Sequence, residues 1–355
     1  MCVAEELGIP LVINMPAPLT LVKDTFGMMD SATHWSLCGL HVGLSSGEAF
    51  ALVAWLNVKR IGDFGRFVRR HVERGALVFV NSFWGIDEPQ SLPPNIVVTG
   101  PLLPPVTDLL SSLQSTSPEL CDFLAGAPSQ GAIFITTGSL AKLTKWQVEA
   151  LYHGAKKTGC KVVWGLKADK QALLPCRTDP DFFISAWTPQ AELLQHEAIR
   201  VVVTHCGWGG TVECVLAAKP VVALPFFGDQ PGNARLLIRA GAAEPIGKIP
   251  TRMAPEDNPY REGDFTAETV HAAISRILDD YGAYQRAAFK LSMAAQATGG
   301  RDMAAKQIEW AARAGTAHIT PPNLSRTLGS SIVTGAIIMT SLAVCAGVLA
   351  ARARR

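Results

Sequence analysis

Short runs of consecutive apolar residues alternate along the chain with longer helical stretches. The runs at 77–81, 96–99, 132–136, 162–164, 182–185, 201–204 and 221–224 carry little polar interruption and read as buried strands. Between and after them the stretches 145–157, 190–195, 211–218, 233–240, 267–279 and 282–297 read as helices. This alternation predicts an α/β fold with parallel strands. Proline and serine crowd 101–105 and 111–117, which marks a linker between two domains, and the Arg/Asp/Glu-rich piece 252–264 reads as a surface loop.

One apolar segment does not fit that rhythm. Residues 328–351 contain no charge, and Arg352, Arg354 and Arg355 follow at once. As a helix the segment rises about 36 Å, enough for a hydrocarbon core of about 30 Å, so a single transmembrane helix is expected there, with a buried core helix as the alternative. Residues 1–20 begin acidic and show no basic leader before an apolar stretch. Either the start is truncated or the body is cytosolic behind a tail anchor.

Composition narrows the function classes. The chain has 355 residues, enough for two domains, and its net charge of +2 gives no basic field for nucleic acid. Apolar residues make up 48% and the mean hydropathy is +0.20, an excess that comes from the C-terminal segment. The eight cysteines lack CxxC spacing. Cys206 and Cys214 lie near His205, but zinc would need two further ligands.

Candidate chemistry gathers where strands run into glycine turns. The strand at 132–136 leads to Thr137-Gly138-Ser139, and the strand at 201–204 to His205-Cys206-Gly207-Trp208-Gly209-Gly210-Thr211, with a helix expected from Val212. In a parallel sheet ligands sit beyond the carboxyl ends of strands, and a glycine turn before a helix lets backbone N–H groups and the helix dipole meet an anion. His205 is placed to donate to a phosphate oxygen, and Glu213 to accept from vicinal hydroxyls such as those of a ribose. The same residues are equally compatible with a tight strand–helix turn and a satisfied histidine. No GxGxxG with an acid about 20 residues on follows any strand, which weighs against a nicotinamide dehydrogenase. Asp179-Pro180-Asp181 matches an acidic pair that binds manganese in another class of transferase, a rival motif.

Over residues 187–230 the chain resembles the signature box of the family-1 UDP-glycosyltransferases, in Trp187-Thr188-Pro189-Gln190, Leu194-Gln195-His196, His205-Cys206-Gly207-Trp208, Glu213, Pro220, Pro225 and Gly228-Asp229-Gln230. Val80-Asn81-Ser82-Phe83, Gly100-Pro101-Leu102, Asn233-Ala234-Arg235 and Gly299-Gly300 extend the resemblance over most of the chain. It implies a GT-B fold of two facing Rossmann-like domains, the first incomplete. On that basis 1–104 is the remainder of an acceptor-side domain and 105–130 the linker and entry to the second domain. Residues 131–300 form the UDP-sugar domain, 301–327 a C-terminal helix with a juxtamembrane segment, 328–351 the membrane span and 352–355 a basic tail. The span and tail resemble those of animal-type members, which implies a single-pass membrane protein of the endoplasmic reticulum.

The resemblance also implies roles. Trp187 stacks on uracil and Thr188 meets the base edge. Gln190 and Glu213 hold the ribose, while His205, Ser139 and the turn Gly207, Trp208, Gly209, Gly210, Thr211 hold the diphosphate. Asp229 and Gln230 bond the sugar. The implied reaction is inverting transfer of a hexose from a UDP-sugar to a hydroxyl of a small lipophilic acceptor, without cofactor or metal. Two departures stand out. Gly209 and Gly210 occupy positions where the family usually has Asn and Ser or Gly. The His that serves the family as base, and the Asp that orients it, would fall before Met1, so no catalytic residue is assigned; the alternative is a donor-binding half or pseudoenzyme that needs a partner.

Overall fold

In the computed structural model, which describes residues 12–15, 18, 74–103, 109–138, 141, 143–250 and 259–320, the apolar runs become two parallel sheets. The first has strands β1 (Val12–Met15), β2 (Leu77–Val80) and β3 (Ile96–Val98), side by side in that order, with Val12 opposite Leu77 and Val78 opposite Ile96.

Helices α1 (Leu109–Thr116) and α2 (Pro118–Ala125) follow. The serine-rich stretch expected to be linker is therefore partly helical. Leu113 explains it, being fully buried in one core layer with Leu120 and Leu124, while Ser115 and Thr116 return their hydroxyls to Ser112 O within the helix.

The second unit then alternates strictly. Its elements are β4 (Ala132–Thr136), α3 (Lys145–Lys156), β5 (Lys161–Gly165), α4 (Ala168–Gln171), β6 (Phe182–Ser185), α5 (Gln190–Gln195), β7 (Ile199–Thr204), α6 (Trp208–Leu216), β8 (Val221–Ala223), α7 (Gln230–Arg239), β9 (Ala243–Pro245), α8 (Ala267–Asp279) and α9 (Tyr281–Ala297). The order is β6-β5-β4-β7-β8-β9, every neighbour parallel. Consecutive apolar residues are needed because both faces are covered. Phe134, Val163, Val202 and Val221 point into the layer under α5, α6, α7 and α9, whereas Ile133, Ile135, Trp164, Val203 and Val222 point into the layer under α3 and α8. Strand order reverses between β4 and β7, and crevices at such a reversal are where open α/β sheets bind ligands.

After α9 the chain returns to the first sheet. Helix α10 (Gly300–Ala314) lays Ala304 and Ala311 against Leu77 and Phe79 of β2, and a 3-10 turn (Ala317–Ile319) closes the described chain. Where it crosses, Gly300 N–H donates to Thr99 O at 2.7 Å, so the outgoing and returning connections touch.

The expected C-terminal membrane helix is not part of this fold, and the expectation is corrected. Among the described residues no helix is long and apolar enough to cross a membrane. The longest, α9, has 17 residues, about 25 Å, and carries Arg286 and Lys290. Residues 328–351, on which the expectation fell, lie outside the described residues. The single-pass endoplasmic-reticulum location and the membrane as partner rested on that helix and are withdrawn with it.

Candidate nucleotide-sugar site

The loops leaving β4, β6, β7 and β8 open on the same edge of the second sheet, and most of the residues singled out in the sequence lie on them. At the switch point the imidazole of His205 is wedged between two turns. A Cβ on Gly138 would come 2.6 Å from His205 Cε1 and Nε2, and one on Gly207 would come 2.6 Å from Nε2. A side chain at either position would displace the ring, and Gly138 also lies in the left-handed region at φ +71°. Burial pushes the His205 pKa below its ordinary value, opposed by the Asp229 carboxylate and by a hydrogen bond to the Thr136 backbone.

Cys206 follows in the left-handed region at φ +60°, a strained conformation for a residue with a side chain. Its surroundings hold it there: its N–H donates to Thr204 Oγ1 at 3.4 Å, and its carbonyl accepts from Asn233 Nδ2 at 2.9 Å. Gly207 then caps α6, which begins at Trp208 rather than at Val212. Gly209, Gly210 and Thr211 are thus the first turn of a helix, whose leading N–H groups have no partner within it. Thr211 Oγ1 is buried and has no hydrogen-bond partner among the described residues.

Beside this mouth, Gln190 at the start of α5 donates from Nε2 to Glu213 Oε2 of α6. Gly210 faces the pair, its hypothetical Cβ 3.5 Å from Gln190 Nε2. Burial raises the Glu213 pKa, and the bond from Gln190 only partly offsets it. Thr188 lies over the end of β5, Oγ1 3.3 Å from where a Cβ on Gly165 would be. Trp187 stands out from the loop at 72% exposure while its main chain is fixed through Ser185 Oγ. A large ring so exposed on a fastened backbone is a free stacking face.

Three residues are placed otherwise than their implied roles suggest. Gln230 is buried, and its Oε1 accepts from Phe226 N–H at 2.8 Å and Phe227 N–H at 3.1 Å, closing its own loop. Asp229 accepts from Trp208 N–H at 3.3 Å and from Asn233 Nδ2 at 2.7 Å, so its carboxylate caps α6 from across the mouth. The Trp208 side chain leaves the mouth and is buried, its Nε1–H donating to Asn81 O at 3.0 Å. Ser139 lies outside the described residues.

Sequence reasoning gave no site role to Asn233, which is fully buried and holds both Cys206 O and Asp229. Its signal was the i, i+4 spacing from Asp229 at a helix start. The rival pair Asp179 and Asp181 precedes β6, at the opposite edge of the sheet. There Asp179 accepts from Tyr152 OH and Lys156 Nζ, and Asp181 pairs with Lys161 at 3.1 Å.

Fold and site together define an α/β protein of two parallel sheets with the candidate site at the switch point of the second. A family profile described as "UDP-glucoronosyl and UDP-glucosyl transferase" matches residues 63–318, and the chain belongs to that family. A "UDP-glycosyltransferase" of Talaromyces amestolkiae is 30% identical, covering 86% of this chain and 62% of the relative. A "Crocetin glucosyltransferase, chloroplastic" of Gardenia jasminoides is 28% identical over 57% of this chain and 45% of the relative. The chain thus spans less than two thirds of the length of these relatives. Among solved structures, Os79 from O. sativa in complex with UDP aligns with a TM-score of 0.62 at 20% identity, covering 87% of this chain and 74% of that one. Phytolacca americana UGT2, complexed with UDP-2fluoro-glucose and pterostilbene, aligns at 0.61 with 20% identity over 88% and 72%. The fold shared with both is α/β and GT-B-like, as the resemblance implied.

Proposed function

We propose that this protein is a UDP-glycosyltransferase: it binds a UDP-sugar at the switch-point crevice and passes the hexose to a hydroxyl of a small lipophilic acceptor with inversion. The single observation that carries the reading is the Gln190–Glu213 pair, which ties the start of α5, three residues after the exposed Trp187, to α6. Those three features match base, ribose and diphosphate in the order in which UDP presents them. Trp187 offers its face to uracil, Glu213 accepts from ribose hydroxyls, and α6 with His205 meets the diphosphate. In the reaction the bond from the anomeric carbon to the UDP oxygen breaks as the acceptor hydroxyl oxygen forms its own, the hydroxyl proton passes to a base or to solvent, and UDP leaves with the negative charge. The helix N-terminus favours that leaving charge. Donor binding without a metal is part of the proposal, supported by the position of Asp179 and Asp181 on the far edge of the sheet.

Calorimetry with UDP tests the reading. The chain should bind UDP, and Trp187→Ala should weaken binding by about one to two decades, the loss of about 1–3 kcal/mol of stacking. Equal affinity in wild type and variant would remove the uracil platform, and no binding by the wild type would remove the reading.

A further inference from the structure

Trp208 has its main chain in the donor mouth and its side chain in the seam between the two sheets. Its N–H lies at the start of α6 and reaches Asp229 Oδ2. Its indole is only 6% exposed and shares a core layer with Phe83 and Ile86, which belong to the loop after β2. The indole N–H ends on the carbonyl of Asn81, the residue directly after β2. Asn81 is itself tied to the first sheet: its N–H donates to Met15 O at 3.1 Å, and beside it Thr99 N–H donates to Val80 O at 2.9 Å. The carboxyl ends of β1 and β3 thus bond the Val80–Asn81 peptide, next to the Asn81–Ser82 peptide whose carbonyl the Trp208 indole holds. These ends are the edge where the first sheet would receive a ligand of its own.

We infer that Trp208 is a positioning residue that transmits occupancy of the donor site to the carboxyl edge of the first sheet. This rests on the reading of the crevice as a UDP site. An anion at α6 draws on the N–H groups of its first turn and fixes the main chain of residues 208–210. A rigid planar side chain with two torsions then fixes the Asn81 carbonyl, because neither the ring nor its N–H has room to move in a packed layer. Asp229 makes the link reciprocal, since it holds Trp208 N–H from the loop that also carries Gln230. Loss of the indole bond leaves the packing of Phe83 and Ile86 but frees the peptide that joins the sheets.

Hydrogen exchange read by mass spectrometry, with and without saturating UDP, tests this on the whole chain. In the wild type UDP should slow exchange in 205–213 and also in 81–87, the latter by about fivefold, the value of one hydrogen bond. In Trp208→Phe, at UDP concentrations that saturate the variant itself, slowing at 205–213 marks occupancy and that at 81–87 should vanish. Arg239→Met is the control, because Arg239 crosses the same seam to Ile86 O at 2.8 Å from α7 rather than from α6. That variant should exchange faster at 81–87 without UDP yet keep the UDP-induced slowing. Slowing confined to 205–213 in the wild type, persistence at 81–87 in Trp208→Phe, or its loss in Arg239→Met would each overturn the link while leaving UDP binding intact. Absence of UDP binding would instead strike the functional reading beneath it.

Discussion

At Glu213 burial lifts the carboxyl above the ordinary carboxylate range, with Gln190 pulling the other way. A carboxyl whose folded pKa is raised contributes stability that is complete below its unfolded value, about 4.3, and is lost as pH rises through the folded value. Glu213→Gln keeps an acceptor for Gln190 and removes the charge. Its melting temperature should therefore exceed the wild type's at pH 8 and converge with it near pH 4. UDP affinity should drop about tenfold in the same variant, because a neutral amide replaces a charged acceptor for ribose hydroxyls. Scanning calorimetry across pH, paired with UDP titration, checks both; a variant less stable at pH 8 would show that the buried charge is better compensated than Gln190 alone allows. At this scale residue type and spacing placed His205 at a strand end and Glu213 on the helix that follows, because a strand end fixes where His205 stands and a helix turn fixes Glu213. They could not foretell that Gln230 turns inward to its own loop amides, or that Asn233 locks Cys206 at φ +60°. Those depend on side-chain partners from elements apart in sequence.

The elements tell a similar story. Strands β4 and β6 were legible residue for residue, because burial on both faces demands unbroken apolar runs. Strand β9 was missed: Ala-Glu-Pro has no such run, and a proline is tolerated there because the strand lies at the edge of the sheet. Helix α6 was placed four residues late because glycines argue against a helix, whereas Gly207 caps it and Gly209 already sits within. A Cβ at Gly209 would meet nothing within 4 Å, and its φ is not in the left-handed region. Neither space nor conformation requires glycine there. Gly209→Ala should therefore stabilise the protein by about 0.5–1 kcal/mol, visible as a higher urea midpoint with unchanged slope. A lower midpoint would mean that α6 does not begin where described.

On the scale of the whole molecule, two connections cross between the sheets in opposite directions. One leaves β3, the other enters α10, and they touch at Thr99 and Gly300. Sequence reading supplied both ends of this crossing, in Gly100-Pro101 and Gly299-Gly300, but not their meeting, since nearly 200 residues separate them. The consequence is that continuity of the main chain is not what keeps the halves together. A polypeptide cut once between residues 104 and 108 would give two fragments, each of which still carries part of the other's interior: the N-terminal fragment carries Phe83 and Ile86 into the second unit's core, and the C-terminal one carries Ala304 and Ala311 to β2. With a protease site inserted there, the cleaved protein should still elute as one species on gel filtration and come apart only in denaturant. Ending the C-terminal fragment at Thr298 should weaken that association, because it removes one of the two exchanged pieces. Prompt separation of the full-length fragments would mean that the exchanged pieces hold less than their burial implies. If they stay together, the protein could be expressed as two separate polypeptides that assemble by trading those pieces.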